Sequence, residues 1–315
     1  MNTSGASQKL LVSGVVLASA FVALLPRMAL SCACGCGVFD VGTSSMLPTG
    51  SGGSVWAEFD YVNQNQNWHG TSKADSSDNE DKKIRTEFYS VGSQYMFNRS
   101  WGARATLPYT HRYFRTTEED SGEIVSYTHS ALGDMRISAV YTGFSPDMST
   151  GASFGLKLPT GDYKQNGFDR DTAIGTGSTD LLLGGWDMGR LTADNKWSWY
   201  TQGELDQPAL IKDHYRPGTD VNVAAGVYHE GMTTGTIKVT PLLQLVGSWH
   251  AHDRGAEAEP ENTGYTRLIV DPGVEFGFGR RTTLHTDVGL PVYQDMRGDQ
   301  LVAPALVKVV LSRRF

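Results

Sequence analysis

Cysteine is scarce in this chain, and its placement matters more than its number. The 315 residues hold three cysteines, Cys32, Cys34 and Cys36, all near the amino end. No later cysteine exists to pair with them, so they do not staple the chain as disulfides staple small secreted domains. Long apolar runs are scarce too. Residues 10–25 are mostly apolar and uncharged, but only 39% of the chain is hydrophobic, which excludes a bundle of membrane-crossing helices. Basic charge is in deficit. The 27 Lys and Arg stand against 34 Asp and Glu, for a formal net charge of -7, and a nucleic-acid partner would require a basic stripe. Neither a phosphate-binding loop nor a dinucleotide fingerprint occurs.

What the chain has in quantity is alternation. Residues 55–64 place Val55, Ala57, Phe59 and Tyr61 on one face and Glu58 and Asp60 on the other. Residues 101–113 set Trp101, Ala103, Ala105, Leu107 and Tyr109 against Arg104, Thr106, Thr110 and Arg112. The same period of two marks 85–97, 132–144, 151–158, 180–188, 196–206, 220–228, 236–249, 266–276, 282–292 and 302–315. About twelve strands result, an even number that suits a closed antiparallel transmembrane β-barrel. Most have the nine to eleven residues that a tilted strand needs to cross a bilayer. Pro108, Pro241 and Pro272 fall inside these strands, where bulges or bends are expected.

A soluble β-sandwich alternates as well, so the connections decide. Along the chain they run long, short, long, short. The long ones are 65–84, 114–131, 159–179, 207–219 and 250–265. The short ones are 98–100, 145–150, 189–195, 230–235 and 279–281. A barrel with both termini in the periplasm has this parity. Trp101, Trp197, Trp199 and Trp249 fall near strand ends, as girdle aromatics do. The chain stops on Phe315 after an alternating strand, which resembles the terminal signal of outer-membrane barrels, although Arg313 stands where an apolar residue is usual.

The amino end reads as a secretory signal over 1–31. Lys9 precedes the apolar stretch, and Ala29-Leu30-Ser31 fits a small-x-small cleavage site. Residues 32–53, rich in Cys, Gly, Ser and Thr, then read as a periplasmic arm or plug, and 54–315 as the barrel. Thiolates at Cys32, Cys34 and Cys36 can bind a soft metal ion such as Cu(I). Acylation of Cys32 and an oxidised or partner-linked cluster are the other readings. No other cofactor is expected.

Three short motifs flank the middle strands in order: Leu132-Gly133-Asp134, Leu158-Pro159-Thr160-Gly161-Asp162 and Gly175-Thr176-Gly177-Ser178-Thr179-Asp180. With them, most of the mature chain resembles the outer-membrane barrel family named for a putative MetA pathway of phenol degradation. The resemblance implies small-molecule transport across the outer membrane of a Gram-negative cell, with aromatic or other hydrophobic compounds as solutes. It also implies assembly by the outer-membrane machinery and contact with outer-membrane lipid.

The inward faces carry both signs of charge. Arg104, Arg112, Arg136, Lys157, Lys238 and Arg267 stand against Asp134, Asp180, Asp271 and Glu275, and all ten are candidates to line the pore. One reading is a path for a polar or zwitterionic solute. The other, favoured for most of them, is a set of ion pairs that fill a narrow barrel. His129-Ser130 and His285-x-Asp287 invite comparison with outer-membrane hydrolases, but neither has a full constellation around it, and no enzyme is expected. His250-Ala251-His252-Asp253 reads as polar loop composition ahead of a metal site.

Overall fold

The computed structural model describes residues 47–48, 50–118 and 121–315. The signal over 1–31 and the thiols of Cys32, Cys34 and Cys36 lie outside the described residues. Twelve antiparallel strands close on themselves: β1 Gly52–Gln64, β2 Asp81–Met96, β3 Trp101–Thr117, β4 in two pieces (Ile124–Leu132 and Met135–Tyr141), β5 Thr150–Leu158, β6 Ser178–Arg190, β7 Trp197–Ile211, β8 Asp220–His229, β9 Ile237–His250, β10 Tyr265–Phe278, β11 Thr282–Val302 and β12 Leu306–Arg314. Each strand pairs with the next, and β12 pairs with β1 from Leu306–Val62 to Arg314–Ser54. The seam is sealed beyond Arg314, where Phe315 N–H donates to Gly53 O at 2.8 Å and Gly53 N–H to Phe315 O at 3.0 Å. The Phe315 ring lies over Gly53, in space that any side chain there would fill.

Closure removes every sheet edge and leaves the pleat to sort the side chains. Val55, Val91, Leu156, Leu183, Val223, Leu243, Leu245, Val288 and Leu311 face outward and are exposed. Their neighbours Asp60, Gln94, Lys157, Asp180, Gln244, Asp287 and Lys308 face inward and are buried. This is a globular core turned inside out, stable only where lipid surrounds the outward belt. Trp101, Trp197 and Phe278 rim that belt at the end where 97–100, 191–196 and 279–281 turn; Tyr89, Tyr109 and Trp249 rim the other. Gly52 and Phe315 lie at the short-turn end.

Two strands depart most from the predicted bounds, and for one reason. The fourth is expected over 132–144 but begins at Ile124, inside an expected loop. β3 pairs with both of its pieces, Tyr109 with Leu132 and Thr106 with Arg136. The pairing slips by one residue at Gly133-Asp134, which reverses the phase of alternation. In β11, expected over 282–292, Val292 and Tyr293 both face outward beside a register shift at Leu268 and Ile269. Pro108 sits opposite the β4 break, where its carbonyl accepts from Gly133 N–H at 2.9 Å, as expected of a strand proline. Pro241 and Pro272 shift no register.

Leu243→Arg is expected to destabilise the barrel by about 2–4 kcal/mol near the bilayer midplane, against about 0–1 kcal/mol for Thr128→Arg beyond the belt. Denaturant unfolding in lipid vesicles measures both. Equal costs would mean that the belt is misplaced.

Candidate functional site: the charged lumen

The lumen is lined by side chains from nearly every strand, and most of its charges are matched. On one wall, Arg136 of β4 reaches past two strands to Glu204 and, at 3.3 Å, Asp206 of β7. Lys157 of β5 lies 2.5 Å from Asp180 of β6 and 2.9 Å from Asp206. Arg104 donates to Gln94 of β2 at 2.7 and 3.0 Å. On the opposite wall, Lys308 of β12 lies 3.4 Å from Glu58 and 3.7 Å from Asp60 of β1. His285 meets Asp287 at 2.6 Å and Glu275 at 3.8 Å. Asp271 accepts from Gln244, which accepts in turn from Tyr200. Unpaired charges in so narrow a space would each cost several kcal/mol.

At the long-loop end the segment 159–177 folds inward against the wall, and the three family-like motifs hold it there. Asp134, at the break in β4, accepts from Gly161 N–H at 2.9 Å, Thr176 N–H at 2.8 Å and Thr176 Oγ1 at 2.6 Å. Thr160 Oγ1 donates to Gly133 O and accepts from Met135 N–H. Gly161 and Gly175 pack backbone to backbone, so that a Cβ on either would lie 2.8 Å from the other's Cα. Arg112 holds the loop carbonyls of Thr172 and Ala173. Phe168 packs against Phe114 at 5.5 Å and Tyr127 at 6.2 Å. Arg170 lies 4.2 Å over the Tyr215 ring and 5.1 Å from the Tyr163 ring.

Beside it, His250 bridges Asp220 at 2.7 Å and Asp253 at 3.2 Å and stacks on Tyr265. Asp253 also accepts from Tyr215 and from Gly218 N–H at 2.7 Å. Arg267 lies 4.1 Å over the Tyr265 ring. A cavity of about 230 Å³ remains between this lid and the strands, lined by Asp60, Phe88, Arg112, Asp134, Arg136, Lys157, Arg170, Asp206, Tyr215, His250 and Tyr265. At the other end Leu47, 4% exposed, packs with Met96, Val140, Met148 and Trp186.

Of the ten pore-lining candidates, the structure gathers Arg112, Asp134, Arg136 and Lys157 at this cavity. Arg104, Asp180, Arg267, Asp271 and Glu275 face inward elsewhere. Lys238, the second residue of β9, is half-exposed at the short-turn end, where its partner is Glu230, at 3.2 Å. The aromatic and acidic lid residues Tyr215, Tyr265, Asp220 and Asp253 carry no sequence signal beyond the His250–Asp253 tetrapeptide. That tetrapeptide supplies two loop fasteners, and among the described residues no His, Cys, Asp and Glu group is arranged to hold a metal ion. His129 and Ser130 point to opposite faces. The first pairs with Asp162 at 2.9 Å, and the second meets His111 Nδ1 at 2.6 Å.

A closed twelve-strand barrel with an apolar belt outside and a charged lumen inside defines an outer-membrane β-barrel. Residues 72–296 match the model of the family described as "Putative MetA-pathway of phenol degradation", and the chain belongs to that family. Among solved structures, an outer membrane channel from Pseudomonas putida F1 shares the fold at a TM-score of 0.62 and 12% identity, covering 88% of this chain and 100% of that one. The beta domain of the Bordetella autotransporter BrkA aligns at a TM-score of 0.51 and 12% identity, covering 84% of this chain and 100% of that one. No curated protein matches the chain.

Two outcomes follow for the lid. Asp134→Ala removes three hydrogen bonds to one buried carboxylate and is expected to cost about 2–3 kcal/mol and to free 159–177 for proteolysis; an equally resistant loop would assign the closure to Phe168 alone. The second concerns pH. Burial, reinforced by Glu80, pushes the Asp169 carboxyl up to about 6. Burial, with the charges of Asp169, Glu261 and Glu80, pushes Glu259 up to about 7. With folded values above unfolded ones, the packing of these loops is fully favoured below the ordinary carboxylate range and weakens as pH rises through about 6–7. Hydrogen exchange in 159–177 and 251–264, corrected for its intrinsic rate, is expected to quicken from about pH 5 to about pH 8. A flat corrected rate would contradict this.

Proposed function

We propose that this protein is a narrow outer-membrane channel for small molecules, with small aromatic compounds as its solutes. The observation that carries this reading is the lidded cavity, where Phe88, Tyr215 and Tyr265 stand among paired charges. Aromatic faces with polar edges suit a ring bearing hydroxyl or charged substituents. The family's description points to the same chemistry. A lumen whose charges mostly neutralise one another gives little reason for selection by ionic sign.

In this reading the long loops face the cell exterior and both termini face the periplasm. The assembly machinery of the outer membrane receives the chain through its last strand, and Phe315 closes the seam. Residues 32–53 serve as a periplasmic arm whose far end, at Leu47, plugs the short-turn mouth.

Purified protein in liposomes is expected to admit phenol-sized solutes and to exclude disaccharides. Leu47→Gly is expected to raise single-channel conductance by opening the apolar ring around Met96 and Trp186. Impermeability to small aromatics in both wild-type and Leu47→Gly protein would overturn the channel reading.

A further inference from the structure

The outward face of β2, β3 and β4 does not end with the lipid belt. Tyr89, Tyr109 and Leu132 form the last apolar rung on these strands. Three further rungs lie beyond it in unbroken register: Glu87, His111 and Ser130; then Arg85, Tyr113 and Thr128; then Lys83, Arg115 and Ser126. At about 3.3 Å per residue, the last rung lies some 20 Å along the tilted strands from the belt. Alternation persists throughout, because Ile84, Thr86, Arg112 and Phe114 between these residues are buried toward the lumen. The outward side chains therefore project over the membrane surface.

Their charge is one-sided. Lys83, Arg85 and Arg115 occupy two adjoining rungs, with His111 below them. The single acid, Glu87, accepts from Tyr89 at 3.0 Å and stands 3.9 Å from Arg85 Nε, too far for a hydrogen bond. That Nε–H is shielded from water and has no hydrogen-bond partner. The Arg85 guanidinium lies 5.5 Å from the Tyr113 ring, which leaves its outer edge open. Lys83 and Arg115 form no ion pair with any described residue. The main lumenal cations Arg136, Lys157 and Lys308, by contrast, are matched to carboxylates, in a chain of net charge -7.

We propose that this face holds the phosphorylated headgroup of an outer-leaflet lipid. Guanidinium forks match phosphate oxygens bidentately, and lysine adds a mobile point charge. The Thr128 hydroxyl flanks the cations as a donor for the rest of the headgroup, with one further hydrogen left over from the Tyr113–Ser126 pair, whose hydroxyls lie 3.0 Å apart. Tyr89 and Tyr109 set the depth, since tyrosines of this kind mark the level where acyl chains end and headgroups begin. A basic cluster on the headgroup side of that level, about 13–20 Å along the tilted strands from it, complements a phosphate-bearing surface, which fixes the occupant as lipid. The inference rests on the membrane belt and is independent of which solute, if any, the lumen conducts.

Native mass spectrometry of the full chain in detergent tests it, with diphosphorylated lipid A and its dephosphorylated form as probes. Wild-type protein is expected to retain the diphosphorylated lipid at least tenfold better than the dephosphorylated one. The Lys83→Gln, Arg85→Gln, Arg115→Gln triple variant is expected to lose that preference. An Arg280→Gln, Arg281→Gln, Arg313→Gln variant, altered at the opposite end, is expected to keep it. Equal retention of the two lipids by wild-type protein overturns the proposal, as does an unchanged preference in the folded triple variant. The comparison of lipids on wild-type protein stands even if the triple variant fails to assemble.

Discussion

The carboxylate of Asp134 is the contact on which the closed form of this barrel depends. It sits where β4 slips register, so it belongs to neither face of a regular strand and is free to turn along the lumen. Three donors from Gly161 and Thr176 converge on it. Charge-assisted bonds to backbone N–H groups are among the stronger ones available to a protein. Through them a long segment with no regular structure of its own gains a fixed position. Arg112, Arg170 and Phe168 then have definite partners. The β4 break is thus a functional irregularity, since a straight strand would carry this side chain outward or leave it pointing across the barrel.

The lumen obeys a different constraint. Twelve strands enclose a space too wide for apolar side chains alone to fill and too narrow for a broad water column. Mixed charges on neighbouring strands resolve this. Long side chains such as Arg136 and Lys157 span the gap, and carboxylates on β6 and β7 meet them. Lys157, held by both Asp180 and Asp206, shows how acids come to outnumber bases here: one buried cation is offset by two carboxylates. Such networks give less net stability than their short distances suggest, because desolvation opposes them. Their contribution is to hold the wall in one arrangement.

Much of this was legible in the sequence. Strict alternation, loop parity and the terminal aromatic residue define the barrel and its strand order, because each strand must satisfy the same two solvents on its two faces. Legibility fails where that rule is interrupted. At Gly133-Asp134 and at Val292-Tyr293 the phase of alternation changes, so β4 and β11 look shorter than they are. The lid was not legible either. Gly161 and Gly175 are ordinary loop glycines in sequence, and only the fold brings their backbones together. His129 and Ser130, adjacent in sequence, are separated by the wall of the barrel for the same reason that makes the strands readable.

The two ends of the lumen are lined by unlike chemistry, and this bears on the proposed passage of a solute. The long-loop end is fastened by carboxylates, backbone donors and stacked aromatic residues, so ionic conditions and proton concentration act on it directly. The short-turn end is gathered around Leu47 by Met96, Met148 and Trp186, contacts that respond weakly to charge. In the proposed channel, a solute entering from the loop side first exchanges polar contacts with the lid and then meets an apolar ring. Small aromatic compounds can satisfy both in turn, offering an edge to the first and a face to the second. A strongly hydrated ion meets its larger barrier at the second, where no partner replaces its water.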